Sequence, residues 1–220
     1  MKKIFLSPSN QDANTYAWGD TTEDVQCGRI ARALEKALRR CGFLTKLEQY
    51  DSMQNRVSHS DAWSADMHVA IHTNATPGHN AGGTQVFYYA PNGYGDRACA
   101  AVYQALKDVT PGSNAECCRR WPTLYEVHKP RATSVYVEAE FHDVPEYARW
   151  IVEHTDEIAE AICRGICEYY REPYVPREEG SQAADGSRLY RVQVGAFREK
   201  ANADRLAAEL NGKGYATYIV

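Results

Sequence analysis

Asp66-Met67-His68-Val69-Ala70-Ile71-His72-Thr73-Asn74-Ala75 reads as a β-strand. Met67, Val69 and Ile71 alternate with His68, Ala70 and His72, the period of two of a pleated strand. The pattern breaks at Thr73-Asn74, and Gly83-Thr84-Gln85-Val86-Phe87-Tyr88-Tyr89 supplies another strand. An imidazole at the C-terminal end of a buried strand sits at the sheet edge where α/β enzymes open their crevices. Neutral imidazole is also a common metal ligand. The plainer alternative for His72 is a core or rim histidine held by a hydrogen bond.

Upstream, residues 3–7 form a first strand, followed by the polar loop Pro8-Ser9-Asn10-Gln11-Asp12-Ala13-Asn14. Thr21 or Thr22 caps a helix whose first turn holds Glu23 and Asp24, where acids suit the helix dipole. Val25, Ile30, Ala33, Leu34, Ala37, Leu38 and Cys41 make its apolar face, and Gly42 ends it. Phe43–Leu47 is a second strand, so the chain opens with a β-α-β unit. A short helix over about residues 53–65 leads into the His72 strand.

Downstream, Tyr94–Val109 is helical, residues 110–132 are irregular, and Val135-Tyr136-Val137-Glu138-Ala139-Glu140-Phe141 is the last core strand. Glu146–Tyr170 is helical, with a break near Glu153-His154. The expected fold is therefore α/β: a mixed, mostly parallel sheet flanked by helices, followed by a small β-α-β unit. Residues 1–171 form the main domain and 172–187, rich in Pro, Glu and Gly, a linker. The unit at 188–220 contains the strand Leu189–Phe197, a helix from Ala201 to Leu210 and the strand Tyr215–Val220. About 33 residues are too few to bury a convincing core unaided.

Bulk composition narrows the function. The net charge of −4 comes from scattered residues and leaves no basic footprint for nucleic acid. No run of 18 apolar residues exists to span a membrane. Met1-Lys2-Lys3-Ile4-Phe5-Leu6-Ser7-Pro8 reads as a strand rather than a signal peptide. The seven cysteines form no metal-knuckle pattern and read as reduced, small apolar residues of a protein made in the cytoplasm. Cys163 and Cys167 lie four apart in a helical stretch, and Cys117 and Cys118 are adjacent.

Three groups share one topological edge. Glu23 lies in the first turn after strand one, His72 ends a central strand, and Glu138 lies in the last core strand with Glu140 two residues on. A carboxylate in a run as apolar as Val135-Tyr136-Val137 needs a partner or a task, because an unpaired buried charge is costly. A metal or catalysis supplies one; a salt bridge to Arg56, Arg119 or Arg131 is the structural alternative.

With those pieces in order and spacing, residues 3 to about 170 resemble the zinc-dependent N-acetylmuramoyl-L-alanine amidases of the type-3 class, found in cell-wall hydrolases and endolysins. The resemblance rests on Ala65–Ala75, Gly82–Tyr89 and Val135–Phe141. It implies one zinc ion, with His72 and Glu23 as ligands and Glu138 as the catalytic acid/base. It implies cleavage of the amide between N-acetylmuramic acid and the L-alanine of the stem peptide, through a zinc-activated water. The family's remaining ligand is a histidine in the loop after strand one, and there this chain reads Pro8-Ser9-Asn10-Gln11. Three outcomes follow: an amide oxygen of Gln11 or Asn10 ligates, a histidine such as His68 or His142 moves in, or the site has lost its metal. The longer reach of Gln11 favours it. His68 is four strand residues, about 13 Å, from His72 and reads as structural.

Asn74 and Arg131 are candidates to line the substrate groove, although Asn74 also suits a turn. Tyr16, Trp18 and Trp63 are candidates to stack on sugar rings. Residues 188–220 resemble the first half of a sporulation-related repeat (SPOR) domain, through Tyr190–Phe197 and Ala201-Asn202-Ala203; such domains bind peptidoglycan. The implied partner is thus peptidoglycan, reached after lysis or release, as for a phage endolysin or a sporulation enzyme. The alternatives are a non-catalytic wall-binding protein on an amidase scaffold, or a related metallopeptidase.

Overall fold

Ile4, Phe5 and Leu6 have no exposed surface, and neither do Val69, Ala70 and Ile71. Strands buried on both faces are what a parallel sheet covered by helices produces. The computed structural model describes residues 1–89, 93–177, 195, 197 and 200–213. It divides into Met1–Arg177 and Glu178–Val220.

In the first unit the elements run β1 (Lys3–Pro8), α1 (Glu23–Arg40), β2 (Leu44–Leu47), α2 (Met53–Ala62), β3 (Met67–Asn74), β4 (Gln85–Tyr88), α3 (Gly95–Lys107), β5 (Cys117–Arg120), α4 (Tyr125–His128), β6 (Thr133–Phe141), α5 (Pro145–Glu153) and α6 (Thr155–Tyr170). The six strands make one sheet in the order β2-β1-β3-β6-β4-β5. Neighbours are parallel except β4 and β6, which run antiparallel. No helix among the described residues is long and apolar enough to cross a membrane.

α1 forms as its pattern dictates, with Glu23 and Asp24 in the first turn and Ile30, Leu34, Ala37 and Leu38 buried. Val25, expected on the inner face, is 37% exposed, and Gln26 and Cys27 are buried in its place. The face is thus rotated at its start, so that Glu23 points into the molecule. α1 and α3 both pack on α6. A Cβ at Gly165 in α6 would lie 2.5 Å from the Val102 Cα of α3, so glycine there lets the two backbones approach closely.

Residues 110–132 are not wholly irregular. They contain β5, a four-residue edge strand, and the single turn α4. Cys117-Cys118-Arg119-Arg120 has no apolar alternation, and its pairing with β4 is a tertiary event. Five of the cysteines are free thiols, as expected; Cys99 and Cys118 depart from that reading and are joined by a disulfide. Cys41, Cys163 and Cys167 come together. In the second unit a helix, α7, spans Lys200–Gly212. The strands expected around it fall almost wholly outside the described residues.

Candidate metal centre

The chain leaves β1 toward β2 on one side and leaves β3 toward β4 on the other. That reversal is a topological switch point, and it opens a crevice at the C-terminal ends of β1 and β3. The loop after β1 is pinned over this crevice. Ser9 N–H donates to the Ile71 carbonyl at 2.8 Å, and Gln49 Nε2 donates to the carbonyls of Ser9 and Asp24 at 2.8 and 2.6 Å. Gln11 follows directly. Glu23 enters from the first turn of α1, where its N–H donates to the Asn14 carbonyl. His72 enters from the end of β3, and its register partner on the parallel strand β6 is Glu138.

Three of the expected ligands meet. Glu23 Oε1 lies 2.8 Å from His72 Nδ1, and the Gln11 amide nitrogen lies 3.4 Å from that same Nδ1 and 3.5 Å from Glu23 Oε1. Asn10 is not among them; its Nδ2 donates to the Asp51 carbonyl. Asn14 Nδ2 donates to Glu23 Oε2 at 2.6 Å and to Gln11 Oε1 at 3.2 Å. Its bond to Oε2 orients the Glu23 carboxylate.

This donor set fits zinc. Ligand atoms 2.0–2.1 Å from a tetrahedral zinc lie about 3.3 Å from one another. Two of the three separations have that size, and the shorter third is bridged by a hydrogen bond. The oxygen and nitrogen of the Gln11 amide exchange places by a half-turn of the side chain, which brings Oε1 into the cluster and turns it away from Asn14. One carboxylate, one imidazole and one amide would supply three ligands and leave a fourth position open, the ligand count of catalytic zinc, with the amide oxygen a weaker ligand than the imidazole it replaces. Glu23 and His72 are buried, with 1% and 7% of their surface exposed. Burial pushes the Glu23 carboxyl up, but hydrogen bonds from His72, Asn14 and Ser9 and the His72 charge outweigh it and hold it below 4.5.

Glu138 differs. Its Oε2 is fully covered and unpartnered, as is His72 Nε2. Burial, and then the charge of Glu23, push its carboxyl well above the usual range. The salt bridge weighed for it does not form: Arg56 pairs with Glu126, Arg131 with Asp61, and Arg119 lies over the Phe87 and Trp121 rings. Tyr136, two residues earlier on β6, stacks on the His72 ring with centroids 4.4 Å apart.

The remaining expectations divide. Asn74 closes β3 beside the site: its Nδ2 donates to Gln85 Oε1, and its Oδ1 accepts from Ala75 N–H as a turn residue does. Gln85 is the register partner of Glu138 on β4. Arg131 is not at the site. It precedes the N-terminal end of β6, some seven residues or about 23 Å along the strand from Glu138, with its side chain 87% exposed. Glu140 does not share the site either. Between the pairs His72–Glu138 and Asn74–Phe141 the β6 strand carries an extra residue, and a bulge of this kind breaks the alternation. Glu140 instead accepts N–H groups from Gly83, Phe141 and Gly112. Tyr16 is buried, its hydroxyl 2.8 Å from Thr73 Oγ1. Trp63 lies beneath Lys3. Trp18 stays 39% exposed. His68 pairs with Glu126, and His142 contacts Thr73, so neither enters the cluster.

Asn14 and Tyr136 are the residues that sequence reasoning missed. Asn14 is one of several amides in a polar loop, and only its contact with Glu23 singles it out. Outer-sphere partners of this kind change metal affinity by about 10–100-fold. Asn14→Ala should therefore weaken zinc binding by about that factor with little change in melting temperature, as read by competition with a chelating dye.

Residues 8–168 match the N-acetylmuramoyl-L-alanine amidase family model. The chain belongs to that family. Residues 186–220 match the SPOR domain. A curated relative, the sporulation-specific N-acetylmuramoyl-L-alanine amidase of Bacillus subtilis (strain 168), is 25% identical over 232 residues, covering 100% of this chain and 85% of the relative. The N-acetylmuramoyl-L-alanine amidase CwlM of Bacillus licheniformis is 26% identical over 233 residues, with coverage of 100% and 85%. Among solved structures, the amidase AmiC2 of Nostoc punctiforme superposes with a TM-score of 0.70 at 22% identity, over 78% of this chain and 98% of its own. The mixed six-stranded sheet flanked by helices is thus the amidase fold, and amidases of this type are zinc-dependent.

Proposed function

We propose that this amidase hydrolyses the amide between the lactyl group of N-acetylmuramic acid and the L-alanine of the peptidoglycan stem peptide. The observation that carries the reading is the meeting of Gln11, Glu23 and His72 at the switch point, with Glu138 on the adjoining strand. Gln11, Glu23 and His72 would hold one zinc ion. A zinc ion bound there supplies Lewis-acid polarisation of the scissile carbonyl and acidifies the attacking water. Asn14 steers the Glu23 side chain, and Tyr136 holds the plane of the His72 ring. Glu138, unpartnered at Oε2 and in register with His72, would take the proton of the attacking water and return it to the leaving amine. Asn74 and Gln85 line the approach to it. The SPOR-matching segment 186–220 would keep the enzyme on the wall, reached after lysis or release from the cell that makes it.

The presence of Gln11 at a family histidine position supports a second reading, a wall-binding protein without catalysis. Mass spectrometry of purified peptidoglycan treated with the full chain separates the two. Stem peptides with a free L-alanine terminus should appear with zinc and vanish with a chelator. No release under any metal condition, with sedimentation on the wall intact, would leave only binding. Cleavage elsewhere in the peptide would replace the substrate.

A further inference from the structure

Cys41, Cys163 and Cys167 are distant in sequence, yet their three sulfur atoms lie within 4.8 Å of one another. Cys41 is the C-cap of α1. Cys163 and Cys167 are four residues apart in α6, which stacks them on one face of the helix. Cys163 and Cys167 have 0% and 1% exposure, and Cys41 has 9% and opens the cluster to the surface. The cluster lies some 18 residues along α1 from Glu23, about 27 Å at the rise of a helix. It is therefore separate from the centre described above.

We propose that these three cysteines form a second metal site, which takes one soft, thiophilic cation of the zinc class. Sulfur atoms bound at about 2.3 Å to a tetrahedral zinc lie about 3.8 Å apart. Cys41 Sγ and Cys163 Sγ are 3.7 Å apart, far beyond the roughly 2.05 Å of a disulfide. A disulfide would use two sulfurs and strand the third, whereas one cation uses all three. Thiolate ligands select such ions over magnesium or calcium. Metal-binding thiolates are also tuned by hydrogen bonds and charges around them. Both are present: Val175 N–H donates to Cys41 Sγ at 3.3 Å, and the Arg40 guanidinium interacts electrostatically with both Cys41 and Cys167. Three thiolates around a divalent ion carry one net negative charge, and the Arg40 guanidinium, shared with Glu160, is the cation that faces it. Arg40 is itself held by Glu160 and the Val175 carbonyl, so its position is fixed. Each thiol releases its proton to solvent as it ligates. The fourth corner of the tetrahedron has no further cysteine or histidine among the described residues and is left to water at the Cys41 edge. The site ties the end of α1 to α6 and to the segment leading out of the first unit.

Cobalt substitution tests the proposal independently of amidase activity. The reduced full-length protein, loaded with one equivalent of Co²⁺ beyond that taken by its oxygen and nitrogen centre, should show the near-ultraviolet thiolate-to-cobalt charge-transfer band. His72→Ala should keep the band, because the other centre contains no sulfur. Cys163→Ser and Cys41→Ser should each lose it. Should the serine variants misfold, the wild-type protein supplies the readout: zinc should block alkylation of Cys41, the thiol that opens to the surface, mapped by peptide mass. Absence of the band, a band indifferent to both substitutions, or equal alkylation with and without zinc would each overturn the site. So would a Cys41–Cys163 disulfide as the form that resists metal.

Discussion

Glu138→Gln should lower kcat for stem-peptide release by about 10²–10⁴-fold, the contribution of a positioned acid/base, while zinc content stays unchanged. Glu138 stands on β6 beside His72 but is not one of the three clustered donors. Its Oε2 is covered and unpartnered, and burial and then Glu23 push its carboxyl upward. Glutamine keeps the shape and removes only the capacity to exchange a proton, so the protein should be no less stable. The loss corresponds to about 2.7–5.5 kcal/mol of transition-state stabilisation. Steady-state kinetics beside metal analysis decides the matter. A fall of less than tenfold would move the acid/base role to another group, and loss of zinc with the substitution would make Glu138 a ligand instead.

The largest stability effect is expected at Glu126→Leu, which should destabilise the first unit by about 3–5 kcal/mol, the cost of breaking a buried ion pair by removing one partner. Arg56 and Glu126 are 2% and 1% exposed, and Arg56 Nη2 lies 3.6 Å from Glu126 Oε2. His68 Nε2 is 3.1 Å from Glu126 Oε1, and Ser7 Oγ donates to the same oxygen. Leucine would leave the Arg56 cation buried with no counter-charge. Against a typical domain stability of about 5–15 kcal/mol this is a large fraction. The network also holds the end of β1, because Arg56 Nη1 donates to the Pro8 carbonyl at 2.6 Å, just before the loop that carries Gln11.

The pH dependence has a definite sign. Burial raises the Glu126 carboxyl, but His68, Arg56 and Ser7 outweigh it and hold it below 4.5. A group depressed in the folded state contributes stability that is complete above its unfolded pKa and is lost as pH falls through the folded one. The gap between wild type and Glu126→Leu in urea unfolding should therefore be full at neutral pH and shrink below about pH 4.5. A gap that is constant with pH would mean that packing, not charge, carries the effect.

How far the site could be foreseen depends on where each residue sits. Glu23, His72 and Glu138 were visible because each stands inside a strongly patterned element, and the element's place in an α/β sheet points its end at the crevice. Gln11 was narrowed to a pair with Asn10 and no further, because loop residues have no period to orient them. The structure puts Gln11 against His72 and turns Asn10 toward Asp51. Asn14 was invisible for the same reason. Arg131 was misplaced because nearness in sequence to β6 does not say which end of the strand faces the substrate, and Glu140 because an extra residue in β6 interrupts the alternation.

The sequence by itself determined the α/β class, the main strands and helices, and the three ionisable groups at one edge, because periodicity and capping are local and survive without knowledge of neighbours. Only the tertiary structure decided which loop amide joins His72 and Glu23, that Glu126 rather than Glu138 neutralises Arg56, and that Cys41 meets Cys163 and Cys167. Each of those pairs elements far apart in the chain. Their distance is set by how helices and strands pack, and local sequence does not encode that.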